Sequence, residues 1–228
     1  MYNFVKRLIL EKIYSGVYKL KIDKYVDLTK QFWIPPQLIS RSIISGWYLR
    51  YSAPRNNPER VRILGAVISG TWDLFSFKIN KSNKYRDFQF RYRYCWPWNK
   101  TQQPKQLDIV IKGNGVVRGN SNTFIDYEHN VLYQWDQLYA EIRSCGYKSA
   151  IELGLPVTSN IEVAIGRSGR IYLVDGKHRL IMSQLLNLDY IPVAVNVIHK
   201  NYYSKLQKES GSSSLISKLD AKFHNKRR

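Results

Sequence analysis

One short stretch of the chain combines basic side chains with a backbone turn that suits an anion. Residues 171–174 are apolar and partly β-branched, which predicts a buried strand. Asp175-Gly176 follows as a turn signal, and apolar residues at helical spacing then continue to Asn187. A strand that turns through a glycine into a helix presents backbone N–H groups and the positive end of the helix dipole to an anion.

The first turn of that helix adds basic side chains to the backbone donors. Arg179 can grip a phosphate with two parallel hydrogen bonds, while Lys177 and His178 add further donors. The pattern favours a phosphate site made of Asp175, Gly176, Lys177, His178 and Arg179, in which Asp175 orients the turn. The alternative is a solvated helix start after an ordinary Asp-Gly turn. Three adjacent basic side chains repel one another unless an anion is present, which favours the phosphate site.

The motif Asp175-Gly176-x-His178-Arg179, set between a strand and a helix, resembles the ParB/sulfiredoxin-like superfamily. The similarity extends from about residue 133 to 199 and includes Ser144-Cys145-Gly146-Tyr147, Pro156 and the segments 161–165 and 188–193. The resemblance implies an α+β fold, a small mixed sheet with flanking helices. It also implies that the turn holds nucleotide phosphates. Members include partition proteins that bind CTP and DNA, sulfiredoxins, and kinases that act on free serine.

Two departures from the superfamily narrow the activity that the resemblance implies. Sulfiredoxins carry their reactive cysteine between the glycine and the histidine, where this chain has Lys177. Partition proteins carry a Gly-Glu-Arg-Arg run and a following DNA-reading domain. Here the run is Gly-Lys-His-Arg, and only about thirty residues follow the last predicted strand. The kinase-like branch is therefore the least contradicted.

The kinase-like branch implies further site residues and cofactors. In that branch an acidic residue beyond the first strand is the catalytic base, and Asp73, after the predicted strand over 61–68, matches it by order of elements. A carboxylate there accepts the proton of an attacking hydroxyl or helps to hold Mg²⁺. His178 would donate to a phosphate oxygen or assist proton transfer. The implied cofactors are ATP or ADP with Mg²⁺. Alternatively, Asp73 is a turn residue that caps the next segment.

Residues 76–106 form a second candidate region, because they are unusually basic and aromatic. Phe88, Phe90, Tyr92 and Tyr94 alternate with polar residues, which predicts a strand with one aromatic and one basic face. Three interpretations stay open. The strand is half-buried and structural, or it binds single-stranded nucleic acid, or Arg91 and Arg93 grip an anionic substrate. A further strand is predicted over residues 107–111.

The net charge of +19 favours polyanions, anionic membranes or phosphorylated substrates. It is unevenly distributed: residues 1–125 carry +15, residues 126–198 carry −2, and residues 199–228 carry +6. Any nucleic-acid surface is therefore expected in residues 1–125 and the tail. Alternatively, the lysine-rich surface only keeps the protein in solution.

The chain divides into three predicted regions. Residues 1–58 form a basic helical extension whose amphipathic helix, over residues 2–15, packs on its own domain or lies peripherally on an anionic membrane. A second helix is predicted from Pro36 through Ile43. Residues 59–203 form the ParB/sulfiredoxin-like core, in which His199 ends the last strand as a solvated histidine. Residues 204–228 form a basic, partly disordered tail with one short helix through Leu215, Leu219 and Phe223.

The remaining composition excludes several classes of site. Cys95 and Cys145 provide no disulfide framework and no metal-ligand spacing, and both are predicted to be buried thiols. The four histidines form no metal cluster, so no metal-ligating residue is assigned. No apolar run is long enough to span a membrane, and the N-terminus has no secretory pattern, so a cytoplasmic protein is expected.

These patterns together favour a nucleotide-dependent phosphotransferase that acts on a small hydroxyl-bearing acceptor, such as an amino acid or a sugar. Its partners would be the nucleotide and that acceptor. Two alternatives remain from the sequence. One is a ParB-like nucleic-acid-binding protein or nuclease, in which the turn holds a backbone phosphate. The other is a nucleotide-dependent binding switch without rapid chemistry.

Overall fold

The computed structural model of the protein describes residues 21–28, 30–43, 64–112, 121, 123–209 and 215–224. These residues form a mixed sheet flanked by helices, which confirms the predicted fold class at that level. The amphipathic helix predicted over residues 2–15 lies outside the described residues. Among the helices that the structure describes, none is long and apolar enough to cross a membrane.

The sheet contains eight described strands in the order β1-β4-β8-β6-β7-β3-β5, and β2 pairs with the first part of β8. The strands are β1 Lys21–Tyr25, β2 Phe32–Ile34, β3 Arg41–Ile43, β4 Ala66–Ser69, β5 Ser76–Lys78, β6 Ile161–Ile165, β7 Ile171–Asp175 and β8 Ile191–His199. The region predicted as a helical extension thus contributes three strands to the same sheet as the core.

Strand direction gives the sheet two distinct ends. β4 and β6 both run parallel to β8, so these three strands finish at one end. β7 runs antiparallel to β6 and finishes at the other end. We call the end at Asp175-Gly176 the corner end, and the end at Gly166-Arg167, where β6 turns into β7, the hairpin end. These two strands form an antiparallel hairpin.

Seven α-helices are described beside the sheet. They are α1 Asn83–Tyr92, α2 Gln103–Lys112, α3 Phe124–Tyr127, α4 Tyr133–Cys145, α5 Lys177–Leu185, α6 Lys200–Lys208 and α7 Leu215–His224. A π-helical turn over Glu128–Leu132 joins α3 to α4, and 3₁₀ turns cover Pro36–Leu38, Ile79–Lys81, Trp98–Lys100 and Val157–Ser159.

Local sequence signals set several of these helix boundaries. The Ser82 hydroxyl accepts a hydrogen bond from the Tyr85 N–H and caps α1. Thr123 and Asp126 form a reciprocal capping box at the start of α3. Gly146, at a positive φ of +75° that favours glycine, ends α4.

Apolar side chains on the two faces of the sheet enter different hydrophobic clusters. Val163 and Ile165 of β6 belong to the larger cluster, which also takes in the buried faces of α4 and α5. Ala164 belongs to a smaller cluster around Trp72 and Tyr172. The alternation along β6 is that of a strand buried on both faces, because successive side chains point to opposite sides.

The strand predicted over residues 88–94 is wrong, because these residues lie in α1 and the turn after it. Phe88 and Tyr92, four residues apart, pack together at 5.4 Å on the inner side of the helix. Aromatic residues at every second position also contain pairs at i and i+4, which share one face of a helix. The Ser82 cap and this packing select the helix.

Two other assignments of secondary structure are also corrected. Residues 107–111 belong to α2 rather than to a strand. The helix predicted from Pro36 is only a 3₁₀ turn over Pro36–Leu38, after which Arg41–Ile43 forms β3. β3 lies between β7 and β5, so pairing on both sides overrides the local helical signal.

The short helix predicted through Leu215, Leu219 and Phe223 is present as α7. α6 and α7 are both helical, and Leu219 and Phe223 of α7 are buried in the larger cluster. The Phe223 ring meets the Phe32 ring edge-on at 5.5 Å.

The two cysteines were predicted to be buried thiols, and this prediction is wrong. Cys95 and Cys145 are both exposed.

Candidate phosphate-binding site

The corner between β7 and α5 has the backbone geometry that the sequence predicted. β7 ends at Asp175, and Gly176 precedes α5 with a φ of +86°. A side chain at Gly176 would put its Cβ 3.0 Å from the Ile161 side chain and 3.1 Å from the Ile161 backbone. Both the left-handed conformation and this close approach require glycine. The first N–H groups of a helix have no acceptor within that helix and attract anions.

Lys177 is the basic side chain of the motif that makes a cation–π contact but has no carboxylate partner among the described residues. It is half-buried, and its ammonium lies 5.1 Å from the centre of the Phe77 ring. Burial lowers the pKa of Lys177. Within the described ranges, no carboxylate forms an ion pair with it. A partly desolvated, unpaired cation at a helix start gains free energy from a bound anion.

The Arg179 guanidinium is held by backbone carbonyl groups, and its Nη2 lies 3.3 Å from the position that a Cβ at Gly176 would take. Its Nη1 donates to the carbonyl oxygen of Ser159, and its Nη2 lies 3.4 Å from the carbonyl oxygen of Asn160. Residues 177 and 179 are about 200° apart around the helix axis. The geometry therefore assigns Arg179 to the segment before β6 and does not bring it together with Lys177.

We expect Arg179→Lys to lower the free energy of unfolding by about 1–2 kcal/mol, because one ammonium cannot replace a fork that spans two carbonyl groups. Urea titration of parent and variant would measure this loss. The backbone role would be contradicted if the variant lost anion binding while its free energy of unfolding stayed within about 0.3 kcal/mol of the parent value. Differences of that size are within the usual error of such comparisons.

His178 points into an aromatic cluster formed by α1 and α4. Its ring lies 4.4 Å from the Trp135 ring, and it stacks on Phe88 at 5.6 Å and 27°. Lys84 lies over the other part of this cluster, 4.2 Å from the Trp135 ring. These contacts fix the first turn of α5 against the larger core. They account for the position of His178 without a phosphate ligand.

Asp73 lies at the hairpin end of the sheet, not at the corner end. It is buried, and the Arg167 guanidinium and backbone N–H both donate to its carboxylate at 2.8–3.1 Å. One length of β7 separates this carboxylate from Gly176, roughly 13 Å for four residue steps. The structure therefore does not bring Asp73 together with His178.

His199 completes this buried group, contrary to the expectation of a solvated histidine. Its exposure is 2%, and its Nε2 lies 3.0 Å from the Gly70 carbonyl oxygen and 3.9 Å from the Asp73 carboxylate. Its Nδ1 accepts a hydrogen bond from the Asn201 N–H. Because Nδ1 accepts, Nε2 carries the proton and donates to Gly70. Desolvation raises the pKa of Asp73, but the hydrogen bonds from the Arg167 side chain and backbone and the Arg167 charge outweigh it, so the net pKa is lowered.

The two arginines predicted to grip a substrate occupy different environments. Arg91 forms a two-pronged ion pair with Asp136, at 2.6 and 3.1 Å, and the hydrogen bond to that carboxylate raises the pKa of Arg91. Arg93 caps the end of α1 and is exposed. Arg91 is therefore a link between α1 and α4, whereas Arg93 is available at the surface.

Sequence reasoning missed a small cavity behind Arg179. The cavity, about 80 Å³, lies beside α4 and is lined in part by Tyr147, Lys148 and Leu153. The Tyr147 hydroxyl is buried, and no hydrogen-bond partner for it is found in the described part of the chain. Burial raises the pKa of Tyr147 more than the Arg179 charge lowers it. In the sequence, Tyr147 stands out only as part of the motif that resembles the superfamily, and no local sequence pattern indicates a cavity there.

No family model, no curated protein and no solved structure matches this chain. Evidence about function therefore comes from the residues of the corner itself. Of its residues, Gly176 and Lys177 have the geometry and the unpaired charge of an anion site. Arg179 and His178 support the corner through Ser159 and the aromatic cluster.

Proposed function

We propose that the protein binds a nucleotide through its phosphates at the corner between β7 and α5. The observation that carries this proposal is Lys177, a half-buried ammonium without a described counter-ion beside the N-terminus of a nine-residue helix. A phosphate would accept hydrogen bonds from that ammonium and from backbone N–H groups of the first turn. It would also restore the interactions that Lys177 loses by leaving water.

Phosphoryl transfer to a small hydroxyl-bearing acceptor is the activity that the ParB/sulfiredoxin-like resemblance suggests for this site. The chain would then use ATP or ADP with Mg²⁺. Asp175 is the carboxylate nearest in sequence to the phosphate position, and Mg²⁺ sites of this kind need only one or two carboxylates besides the phosphates. When bound, the ion would neutralise charge on the phosphates. Lys177 would hold and orient those oxygens.

The position of Asp73 favours a second candidate function. Because Asp73 is committed to Arg167 at the hairpin end, it does not supply a general base for chemistry at the corner. A nucleotide-dependent binding switch needs the phosphate site but no base. Both candidates require nucleotide binding, and they differ only in whether a phosphoryl group is transferred.

A thermal-shift panel would test the shared requirement. ATP, ADP, CTP, GTP and inorganic pyrophosphate would be compared with adenosine, each with and without Mg²⁺. At about 100 times its Kd, a phosphate ligand should add about 2.7 kcal/mol of stability, or roughly 2–4 °C per kcal/mol for a chain of this size. Adenosine, which lacks phosphate, should not stabilise the protein. A flat response to the whole panel would overturn the proposal.

A product assay would then separate the two candidates. The nucleotide that stabilises the protein would be incubated with pools of amino acids and sugars, and phosphorylated products would be detected by mass spectrometry. New phosphorylated acceptor supports the phosphotransferase. Stabilisation without any product, over hours at high protein concentration, supports the switch.

A further inference from the structure

Three aromatic side chains form an exposed stack at the end of α1. The Phe90 and Trp96 rings are stacked at 4.5 Å and 12°, and Tyr94 lies 6.2 Å from Phe90. Tyr94 is 55% exposed and Trp96 is 42% exposed. We call this stack, together with Arg93 and Arg143, the aromatic–basic surface. It is separate from the phosphate-binding corner.

The backbone is held in an unfavourable conformation where it presents these rings. Cys95 has a φ of +56°, in the left-handed region that a residue with a side chain seldom adopts. This turn lets the Trp96 N–H donate to the Phe90 carbonyl oxygen at 3.0 Å, which places the Trp96 ring on Phe90. The turn is anchored through Arg91, which contacts the Trp96 carbonyl oxygen while it pairs with Asp136. The exposed rings are therefore fixed in place.

The segment that carries the stack is strongly basic in sequence. Residues 78–105 contain eight lysines and arginines against one acidic residue, Asp87, which is buried and accepts hydrogen bonds from residues of the α2 start. On the facing helix α4, Asp136 is paired with Arg91. Arg93 and Arg143 both lie close enough to Tyr139 to lower its pKa, although burial raises that pKa on balance. Tyr139 stacks on Tyr92 of α1, so the two arginines lie on the side of α1 that faces α4, and Arg93 directly precedes Tyr94 in the chain.

We propose that the aromatic–basic surface binds single-stranded nucleic acid. Flat exposed rings stack unpaired bases with little dependence on sequence, and flanking arginines neutralise the phosphates between them. Trp96 and Tyr94 would stack bases, while Arg93 and Arg143 would contact phosphates. The chain's net charge of +19 favours the same polyanion. This binding does not depend on the nucleotide site at the corner.

Fluorescence anisotropy with fluorescein-labelled dT20 and rU20 would test the proposal over 50–200 mM NaCl. Trp96→Ala should weaken binding about tenfold through the lost base stacking. Arg93→Ala should reduce the slope of log K against log salt by about 1. Tyr25→Ala, which removes an equally exposed aromatic residue of β1, and Arg170→Ala, in the β6–β7 turn, should bind as the parent does. Circular dichroism would confirm that every variant is folded.

The two exposed cysteines allow a second readout of the same surface. Bound oligonucleotide should slow alkylation of Cys95 by N-ethylmaleimide more than that of Cys145, which lies about 200° around α4 from Arg143. Equal oligonucleotide binding by parent, Trp96→Ala and Arg93→Ala would overturn the proposal. The proposal would also be overturned if the protein did not bind oligonucleotides but bound phosphatidylserine vesicles in a Trp96-dependent manner. Lys177→Met should not change oligonucleotide affinity, so the outcome is independent of the nucleotide site.

Discussion

Lys177→Met should weaken nucleotide binding by about tenfold to a hundredfold, because a charge-assisted hydrogen bond to phosphate is lost. The free variant should be at least as stable as the parent. Methionine has a similar length, and it removes an unpaired, half-buried charge while keeping the contact with Phe77. Isothermal calorimetry with the stabilising nucleotide and urea unfolding of the free proteins would measure both effects. Opposite signs for function and stability are typical of a binding residue.

The matched control for that substitution is Lys205→Met on α6, where the lysine is exposed and pairs with Glu209. It should change neither nucleotide affinity nor stability by more than about 0.5 kcal/mol. If Lys177→Met destabilised the free protein and left nucleotide affinity unchanged, Lys177 would be structural. The phosphate-binding proposal would then lose the observation on which it depends.

Nucleotide affinity should also fall as the pH rises into the alkaline range. Burial lowers the pKa of Lys177, so in the free protein its ammonium is lost at a lower pH than that of an ordinary lysine. A bound phosphate favours the charged form, so binding weakens once the free protein has lost that proton. Calorimetry across pH 7–11 on parent and Lys177→Met would show this fall in the parent only.

Asp73→Asn is expected to lower the free energy of unfolding by about 2–3 kcal/mol at neutral pH, because Arg167 and its backbone N–H lose a charged acceptor. This loss of stability is smaller than that expected on breaking a fully buried ion pair, because Arg167 is partly exposed to solvent. The carboxylate joins the segment after β4 to the β6–β7 turn. A residue in a catalytic role would reduce activity with little change in stability.

The stabilisation by Asp73 should depend on pH in a defined direction. The pKa of Asp73 is lowered in the folded protein. Its contribution is therefore complete above the unfolded value of about 3.9 and is lost as the pH falls through the folded pKa. Urea unfolding at pH 7 and at pH 3 should show a smaller difference between parent and variant at pH 3. Asp189→Asn, at an exposed aspartate, should show little difference at either pH.

Much of the sheet and the corner was predictable from local patterns. Alternating or continuous apolar runs identified β6, β7 and β8, and Asp175-Gly176 identified the turn into α5. The predictions for these segments are correct because one signal, burial on the sheet, dominates each of them. The prediction of a strand for the aromatic residues of α1 is wrong because their spacing fits both a strand and a helix. The rings of Tyr92 and Tyr139 stack at 3.9 Å, and this contact between α1 and α4 cannot be inferred from the sequence of either segment alone.

The roles of individual site residues were less predictable than the turn that carries them. Arg179, His178 and Asp73 have partners that are distant in the chain, namely Ser159, Trp135 and Arg167. A basic or acidic residue near a motif has the same local sequence whether it faces a ligand or the protein. Only the arrangement of neighbouring elements separates Lys177, which has no described counter-ion, from residues already committed to the fold.

The location of bound phosphate is measured most directly by following backbone amide resonances during titration with the stabilising nucleotide and Mg²⁺. We expect the largest chemical-shift changes at Gly176 and Lys177 of the corner end, with small changes at Gly70 and Arg167 of the hairpin end. Lys177→Met should reduce the changes at the corner at the same ligand concentration. Saturable changes that cluster around Arg167, or that leave the corner amides unmoved, would contradict a phosphate site at the start of α5.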